Sequence, residues 1–185
     1  MCPPPEVSPG EYSAEERSLL LKLAHDAIAS ALVKSEISLE SPTPHLAEAR
    51  GTFATLYHRG NLRGCVGHVF AASSLYRAVA ETAQAAAFQD PRFDPVTANE
   101  LPGLEVSLSI LSPLRPILAE EVEIGKHGLL ISMAGRRGLL LPQVPVEHGW
   151  NRIQFLEQTC RKAGLPSNAW QEAKLEAFTA EVFRD

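Results

Sequence analysis

Residues 51–67 of this chain read GTFATLYHRGNLRGCVG, and their pattern is that of a β-hairpin. Gly51–His58 alternates and is rich in strand-forming residues, so it predicts a strand. Arg59–Asn61 supplies the residues of a turn, and Leu62–Val66 predicts the returning strand. The predicted hairpin therefore sets Cys65 on a strand, between two glycines.

The segment Leu62–Gly67, LRGCVG, is the most distinctive in the chain. Gly64 and Gly67 permit a ligand to approach the backbone closely. Arg63 carries a planar cation that suits carboxylate or phosphate, and a neighbouring cation favours the reactive thiolate form of a cysteine. Cys65 is therefore a candidate nucleophile, redox thiol or soft metal ligand. The alternative is a small buried hydrophobe in a tightly packed hairpin, and the residue pattern leaves both open.

Helices are predicted on both sides of this hairpin. Upstream, Ser13–Glu16 has the form of a capping box, and the apolar helical period continues to about Lys34. Downstream, a second helical stripe runs from Ser74 to Phe88 and stops at an Asp-Pro step. Residues 1–12 are rich in proline and predict a flexible tail, which leaves residues 13–185 as one domain.

The second half of the chain predicts further strands and one helix. Four segments alternate or are continuously apolar in the manner of strands: Leu104–Ile110, Leu129–Met133, Leu139–Val144 and Leu175–Phe183. The helix begins at Asn151 with another capping box and ends at Ala163-Gly164, where Cys160 falls on the apolar stripe. Antiparallel hairpins with segregated helices indicate an α+β fold.

The composition excludes several classes of protein. The 185 residues are 45% hydrophobic and 21% charged, which is typical of a globular chain that buries its own core. A net charge of −5 offers no basic surface for nucleic acid or an anionic membrane. No apolar run approaches the roughly 20 residues of a membrane-spanning helix, and no signal peptide is recognisable. These features predict a cytoplasmic protein with reduced thiols.

Two further residues are candidates for a functional site. Arg92 lies in the segment Asp90–Pro95, where two proline turns can present an arginine to a ligand or can simply end a helix. His127 precedes a strand and is a candidate general acid or base, although a lone loop histidine is often an ordinary surface residue. No metal-ligand spacing, GxGxxG or P-loop is present, so we predict neither a metal nor a cofactor.

With these segments in place, the sequence resembles the AMMECR domain family, of the AmmeMemoRadiSam system protein A type. The most specific match is Leu62–Gly67, where the family shows LRGCIG. Further matches follow in order: Asp90–Phe93 (DPRF), Val106–Pro113 ending in Leu-Ser-Pro, Lys126-His127-Gly128, Leu141–Val144 and Gly149-Trp150. The clearest departure is His148, where relatives carry glutamine, so no amide role is transferred to that position.

The resemblance implies an α+β fold with a larger lobe built from both chain ends and a smaller inserted lobe. It also implies that the Leu62–Gly67 segment lies in a cleft between the two closely packed lobes. The partners that it implies are a Memo-type protein and a radical S-adenosylmethionine enzyme. A settled reaction is not implied.

Two functions therefore stand as expectations. The first is a ligand-binding or catalytic cleft in which Cys65 is the reactive group and His127 transfers protons. A small anionic ligand would then be held by Arg63, Gly64, Gly67 and Arg92. The second is a non-catalytic adaptor for the implied partners, in which the Leu62–Gly67 segment is purely structural.

Overall fold

The computed structural model describes residues 10–185, which form two compact units. Unit 1 contains the described residues up to Ile110 together with Glu181–Asp185, and unit 2 is Leu111–Ala180. Residues 1–9 of the predicted tail lie outside the described residues, whereas Tyr12 at its end is buried, with 2% exposure. No helix within the described residues combines the length and the apolar character needed to cross a membrane.

The fold is α+β, as the sequence predicts, with antiparallel pairing throughout the registers described below. In chain order the helices are α1 (Ala14–Val33), α2 (Leu75–Phe88), α3 (Gln143–Glu147) and α4 (Arg152–Lys162). The strands are β1 (Thr52–His58), β2 (Asn61–His68), β3 (Leu104–Leu111), β4 (Arg115–Pro116), β5 (Gly128–Met133), β6 (Arg136–Leu140), β7 (Lys174–Phe178) and β8 (Ala180–Arg184). They form two four-stranded sheets, ordered β2-β1-β3-β8 and β4-β7-β5-β6.

The helix starts that were predicted from capping boxes are confirmed. The Ser13 hydroxyl accepts a hydrogen bond from the N–H of Glu16 at 3.2 Å, and the Glu16 carboxylate accepts one from the N–H of Ser13 at 3.0 Å. Asn151 and Gln154 repeat this exchange at the start of α4. Each pair satisfies backbone donors that the first helical turn leaves open.

One face of the unit 1 sheet is covered by α1 and α2. Ala54 and Leu56 of β1, together with Val106 and Leu108 of β3, are fully buried in the core that those helices complete. Because side chains alternate along a strand, the residues between them, such as Thr55, point to the opposite face. The core thus fixes which face of the sheet carries polar side chains.

Unit 2 builds a second core between its sheet and α4. Its largest members are fully buried: Leu129, Ile131, Phe155, Leu156 and Cys160. Cys160 is thereby confirmed as a core residue.

Two strand predictions in the second half were wrong in part. The strand predicted over Leu139–Val144 ends at Leu140, because the chain turns at Pro142 into the short helix α3. The single strand predicted over Leu175–Phe183 is two strands, β7 and β8, which belong to different sheets. The alternating pattern continues across the break at Thr179, so local periodicity could not reveal it.

Candidate functional site

The thiol of Cys65 lies on the polar face of the unit 1 sheet. Cys65 is opposite Thr55 on β1, and Thr55 is opposite Ser107 on β3, so a thiol and two hydroxyl groups form a row across three strands. The Thr55 hydroxyl donates a hydrogen bond to the Cys65 sulfur, with 3.4 Å between oxygen and sulfur. Cys65 is half-buried, whereas Cys160 is fully buried.

The carboxylate of Asp90 connects Cys65 to Arg92. It accepts a hydrogen bond from the backbone N–H of Cys65 at 2.9 Å, and the Arg92 guanidinium donates to both of its oxygens, at 2.9 and 2.7 Å. The Asp90 side chain is only 3% exposed. These hydrogen bonds, those from Arg92 above all, hold the pKa of Asp90 well below its usual range. Asp90 is therefore a permanently charged link between the two candidate residues.

Arg92 keeps part of its guanidinium available. Its Nε and Nη2 atoms contact Asp90, while its side chain is 57% exposed. The guanidinium carbon lies over the ring of Phe93, 5.4 Å from the ring centroid, which is the arrangement of a cation–π contact. Arg92 can therefore donate to an external anion without leaving Asp90.

Arg63, in contrast, is engaged within the protein. Its guanidinium donates to both carboxylate oxygens of Glu100, at 2.7 and 3.2 Å, and to the backbone carbonyls of Asp94 and Pro95. These bonds to Arg63, together with the N–H of Thr97, lower the pKa of Glu100 from 4.5 to about 2. In this structure Arg63 anchors the loop after α2. The paired N–H donors with which its guanidinium could bind a ligand anion are already bonded to Glu100.

The two glycines of the segment occupy positions where a side chain would collide. A Cβ added to Gly64 would lie 2.0 Å from the backbone oxygen of Ala86 in α2. A Cβ added to Gly67 would lie 2.4 Å from the Phe53 ring and 2.4 Å from the Thr52 oxygen. Close packing of β2 on its neighbours therefore accounts for both glycines, while their predicted ligand contacts stay a prediction.

His127 belongs to unit 2. Its Nδ1 accepts a hydrogen bond from the backbone N–H of Glu123 at 3.1 Å. Burial lowers the pKa of His127, so the imidazole is neutral at physiological pH and carries its proton on Nε2. With the lone pair of Nδ1 already in use, the ring is arranged as a hydrogen-bond donor.

Among the described residues, a single group of three could bring metal ligands within 4.8 Å of one another, namely Glu11, His45 and Glu48. The guanidinium of Arg50 bonds to both of these glutamates and is itself 8% exposed. A cation of the protein therefore already occupies the position between the carboxylates. Cys65 is not a member of that group.

Sequence reasoning missed the residues that organise the site. Asp90 was interpreted only as a helix stop, and neither Thr55 nor Glu100 was considered. Asp90 lies 25 residues from Cys65, and Glu100 lies 37 residues from Arg63, so no local pattern joins them. The only available signal was an aspartate directly before a proline and an arginine, in a segment that matches the family.

Comparison with known proteins places these features in a family context. The AMMECR1 family model matches residues 21–183. The protein MK0488 of Methanopyrus kandleri is 40% identical over an alignment that covers 95% of this chain and 91% of that protein. A protein of Aquifex aeolicus is 40% identical over an alignment that covers 90% of this chain and 91% of that protein. The crystal structure of PH0010 from Pyrococcus horikoshii is similar with a TM-score of 0.72 and 37% identity, over 90% of both chains.

Proposed function

This chain belongs to the AMMECR1 family, and from that premise we propose that its Leu62–Gly67 segment forms a small-molecule site whose reactive group is the Cys65 thiol. In this proposal the ligand is small and anionic, and the protein acts with a Memo-type protein and a radical S-adenosylmethionine enzyme. One observation carries the proposal: the Asp90 carboxylate holds the backbone of Cys65 and the guanidinium of Arg92 at the same time.

The environment of the sulfur supports a chemical role for it. A cysteine that serves only to fill space is normally closed off, as Cys160 is at 0% exposure. Cys65 instead is half-buried, and the hydroxyl of Thr55 fixes the position of its sulfur. A fixed and accessible thiol is the arrangement that nucleophilic cysteines require.

Arg92 supports an anionic ligand. A guanidinium has five N–H donors, and Asp90 uses only those on Nε and Nη2. Because Asp90 already orders the side chain of Arg92, an incoming carboxylate or phosphate does not have to immobilise it. Arg92 therefore takes the anion-binding role in this proposal, and Arg63 with Glu100 keeps the neighbouring loop in position.

The simplest covalent step is a displacement. The thiol gives up its proton to a base, the sulfur forms a bond to an electrophilic carbon of the ligand, and the displaced group leaves with the electron pair of the bond that breaks. Within residues 10–185 no histidine or carboxylate side chain is hydrogen-bonded to the Cys65 sulfur. The proton acceptor is then solvent or a partner protein, which fits a protein that acts as one component of a larger system.

Alkylation with a charged and a neutral reagent tests this proposal. The full-length chain is treated with iodoacetate or iodoacetamide, and modification of the peptide that contains Cys65 is followed by mass spectrometry. Replacing Arg92 with glutamine should lower the ratio of the iodoacetate rate to the iodoacetamide rate about fivefold, the scale expected from one nearby solvent-exposed cation.

Arg77→Gln is the matched control, because Arg77 is an exposed arginine of α2 whose only ion pair within residues 10–185 is a 3.9 Å contact with Glu81. It should leave the ratio of the two rates unchanged. Equal ratios in the Arg92 and Arg77 variants would remove the anion-binding role. A Cys65 peptide that stays unmodified in the native protein would remove the reactive thiol.

The packing of the two glycines and of Arg63 favours a second candidate, an adaptor in which the segment is purely structural. Gly64, Gly67 and Arg63 each have a complete explanation in contacts within the protein. Reconstitution with a Memo-type protein and a radical S-adenosylmethionine enzyme separates the two candidates. An adaptor predicts that Cys65→Ser keeps full activity in the mixture, whereas the site proposed above predicts that this activity is lost while the complex still forms.

A further inference from the structure

Two segments of unit 2 that match the family, Leu111–Pro113 and Lys126–Gly128, play no part in the Cys65 site, yet they meet at one pocket. The pocket has a volume of about 230 Å³. Its polar lining residues are Ser112, Arg115, His127 and Thr179. All the residues that line the cavity belong to unit 2, whereas Cys65 belongs to unit 1.

The strand register brings these side chains together. The strand β7 lies between β4 and β5 in the unit 2 sheet. Arg115 pairs with Ala177 on one side of β7, and Gly128 pairs with Phe178 on the other. One residue further along, His127 comes level with Thr179 at the end of β7. A cation and an imidazole therefore flank the end of one strand.

His127 is arranged to donate a hydrogen bond. The backbone N–H of Glu123 occupies its Nδ1, so its Nε2 carries the proton. Protonating the ring would set an N–H on Nδ1 against the N–H of Glu123. This geometry suits binding of an acceptor oxygen and does not suit a general base.

Arg115 supplies the positive charge. Within residues 10–185 its guanidinium forms no ion pair and donates no side-chain hydrogen bond. The acidic residues near His127 are engaged elsewhere, since the Glu123 carboxylate lies 2.6 Å from the ammonium of Lys126 and Glu121 accepts from a backbone N–H. The pocket thus holds a cation without a carboxylate that neutralises it.

Ser112 holds Thr179, the remaining polar residue that lines the pocket. Its hydroxyl donates to the Pro113 carbonyl and accepts from the N–H of Thr179, at 3.2 and 2.9 Å. The N–H of Ser112 in turn donates to the Thr179 carbonyl at 2.9 Å. These bonds engage the Ser112 hydroxyl and hold the backbone of Thr179, which also lines the pocket.

We propose that this pocket binds a compact oxyanion, a phosphate or carboxylate group, with Arg115 and the Nε2–H of His127 as its principal donors. The planar fork of arginine matches two oxygens of such a group, and the neutral imidazole adds a directional third contact. The volume is below the roughly 300–1,000 Å³ of sites for drug-sized ligands. The ligand is therefore a small ion or the anionic end of a larger molecule.

Nuclear magnetic resonance of the 15N-labelled full-length chain tests the proposal at pH 7.5 and constant ionic strength. Inorganic phosphate, methyl phosphate and acetate are titrated separately, and the ring nitrogens of His127 are followed. We expect saturable shifts with at least one of these anions. Tighter binding of methyl phosphate identifies the end of a larger molecule, equal binding identifies the free ion, and preference for acetate identifies a carboxylate.

Arg115→Gln should weaken binding at least about fivefold, and His127→Gln provides a second variant of the same pocket. Arg137→Gln is the matched control, because Arg137 is an exposed arginine of β6 outside the pocket lining. Equal affinity in the Arg115 and Arg137 variants, or linear shifts with all three anions, overturns the proposal. Neither result bears on Cys65, since the two sites share no residue.

Discussion

The backbone nitrogen of Cys65 lies 2.9 Å from the Oδ2 atom of Asp90, which joins the strand β2 to the residue that follows α2 and its cap. β2 is an edge strand, so this N–H has no partner on a neighbouring strand and would otherwise depend on water. The buried carboxylate of Asp90 accepts this hydrogen bond instead. The Leu62–Gly67 segment is thereby tied to the end of α2 at the cysteine itself.

Replacing Asp90 with asparagine should loosen this attachment. An amide keeps one acceptor oxygen but loses the charge that binds Arg92, so its hydrogen bond from Cys65 is weaker. We expect the amide hydrogen of Cys65 to exchange with solvent about tenfold faster, the scale of a lost charged acceptor. Hydrogen exchange with residue resolution measures this rate directly.

Asp94→Asn is the control for that experiment, because within residues 10–185 the Asp94 side chain forms no hydrogen bond or ion pair and its backbone carbonyl accepts from Arg63. It should leave exchange at Cys65 unchanged. If the Asp90 variant exchanges at the wild-type rate, Asp90 does not hold the strand.

Acid should weaken unit 1 through Glu100. Its pKa in the folded protein is about 2, below the 4.5 of the free side chain, so folding favours the deprotonated form. The stabilisation by Arg63 is complete above pH 4.5 and is lost as the pH falls toward 2. We expect the free energy of unfolding, measured with denaturant between pH 2 and 6, to fall less steeply over this window in Glu100→Gln.

Glu105→Gln provides the comparison for the acid experiment. Glu105 is an exposed carboxylate of β3 with no ion pair among residues 10–185. Its variant should keep the wild-type dependence on pH. Identical curves for the Glu100 and Glu105 variants would show that the pair with Arg63 does not contribute.

Alanine at Gly64 should destabilise the protein by about 1–3 kcal/mol, because its Cβ would overlap the backbone oxygen of Ala86 and neither backbone can yield cheaply. Gly60 in the turn of the same hairpin is the contrast: it has open space around it and a φ of +78°. Asparagine tolerates that conformation, so Gly60→Asn should cost less than about 1 kcal/mol. Thermal and denaturant unfolding compare the two, and equal losses would contradict the packing argument.

Serine substitutions should separate the two described cysteines. Cys160 is fully buried in the unit 2 core, where a serine hydroxyl must be desolvated at a cost of about 1–3 kcal/mol. Cys65 is half-buried beside the hydroxyl of Thr55, which can bond to serine as it does to sulfur. Cys65→Ser should therefore retain nearly the full free energy of unfolding, and a loss as large as that of Cys160→Ser would indicate a structural cysteine.

The starts of α1 and α4 could be predicted from the sequence because their determinants are local. Ser13 and Glu16, or Asn151 and Gln154, are three residues apart and exchange hydrogen bonds within one turn. The hairpin of β1 and β2 was predictable for the same reason. Its turn joins strands that are neighbours both in sequence and in the sheet.

The change of sheet at Thr179 depends on distant partners and could not be predicted. β7 pairs with β4 and β5, whereas β8 lies beside β3, and no turn-forming residue marks the boundary between them. The alternating apolar residues fit either sheet. Which sheet each strand joins is decided by packing across the fold, which periodicity does not report.

In the candidate site, too, local features could be predicted from the sequence and contacts between distant residues could not. The sequence located Cys65 between two glycines, and the structure gives these glycines a packing reason that a single strand could not reveal. The sequence also indicated Arg63 as a candidate. Arg63 forms an ion pair with Glu100, which only the folded loop brings close to it. Arg92 pairs with Asp90, only two residues away, within the one segment that the sequence did single out, and its side chain is 57% exposed.

The position of β8 beside β3 has a consequence for protein engineering. The chain leaves the first sheet at the end of β3 and rejoins it at β8, and between these two adjacent strands it builds all of unit 2. The hydrogen bond from Ser112 to Thr179 closes the neck of that excursion. Residues 111–180 thus form a cassette whose ends already meet, so it can be exchanged for a homologous segment or for a short linker without opening the host sheet.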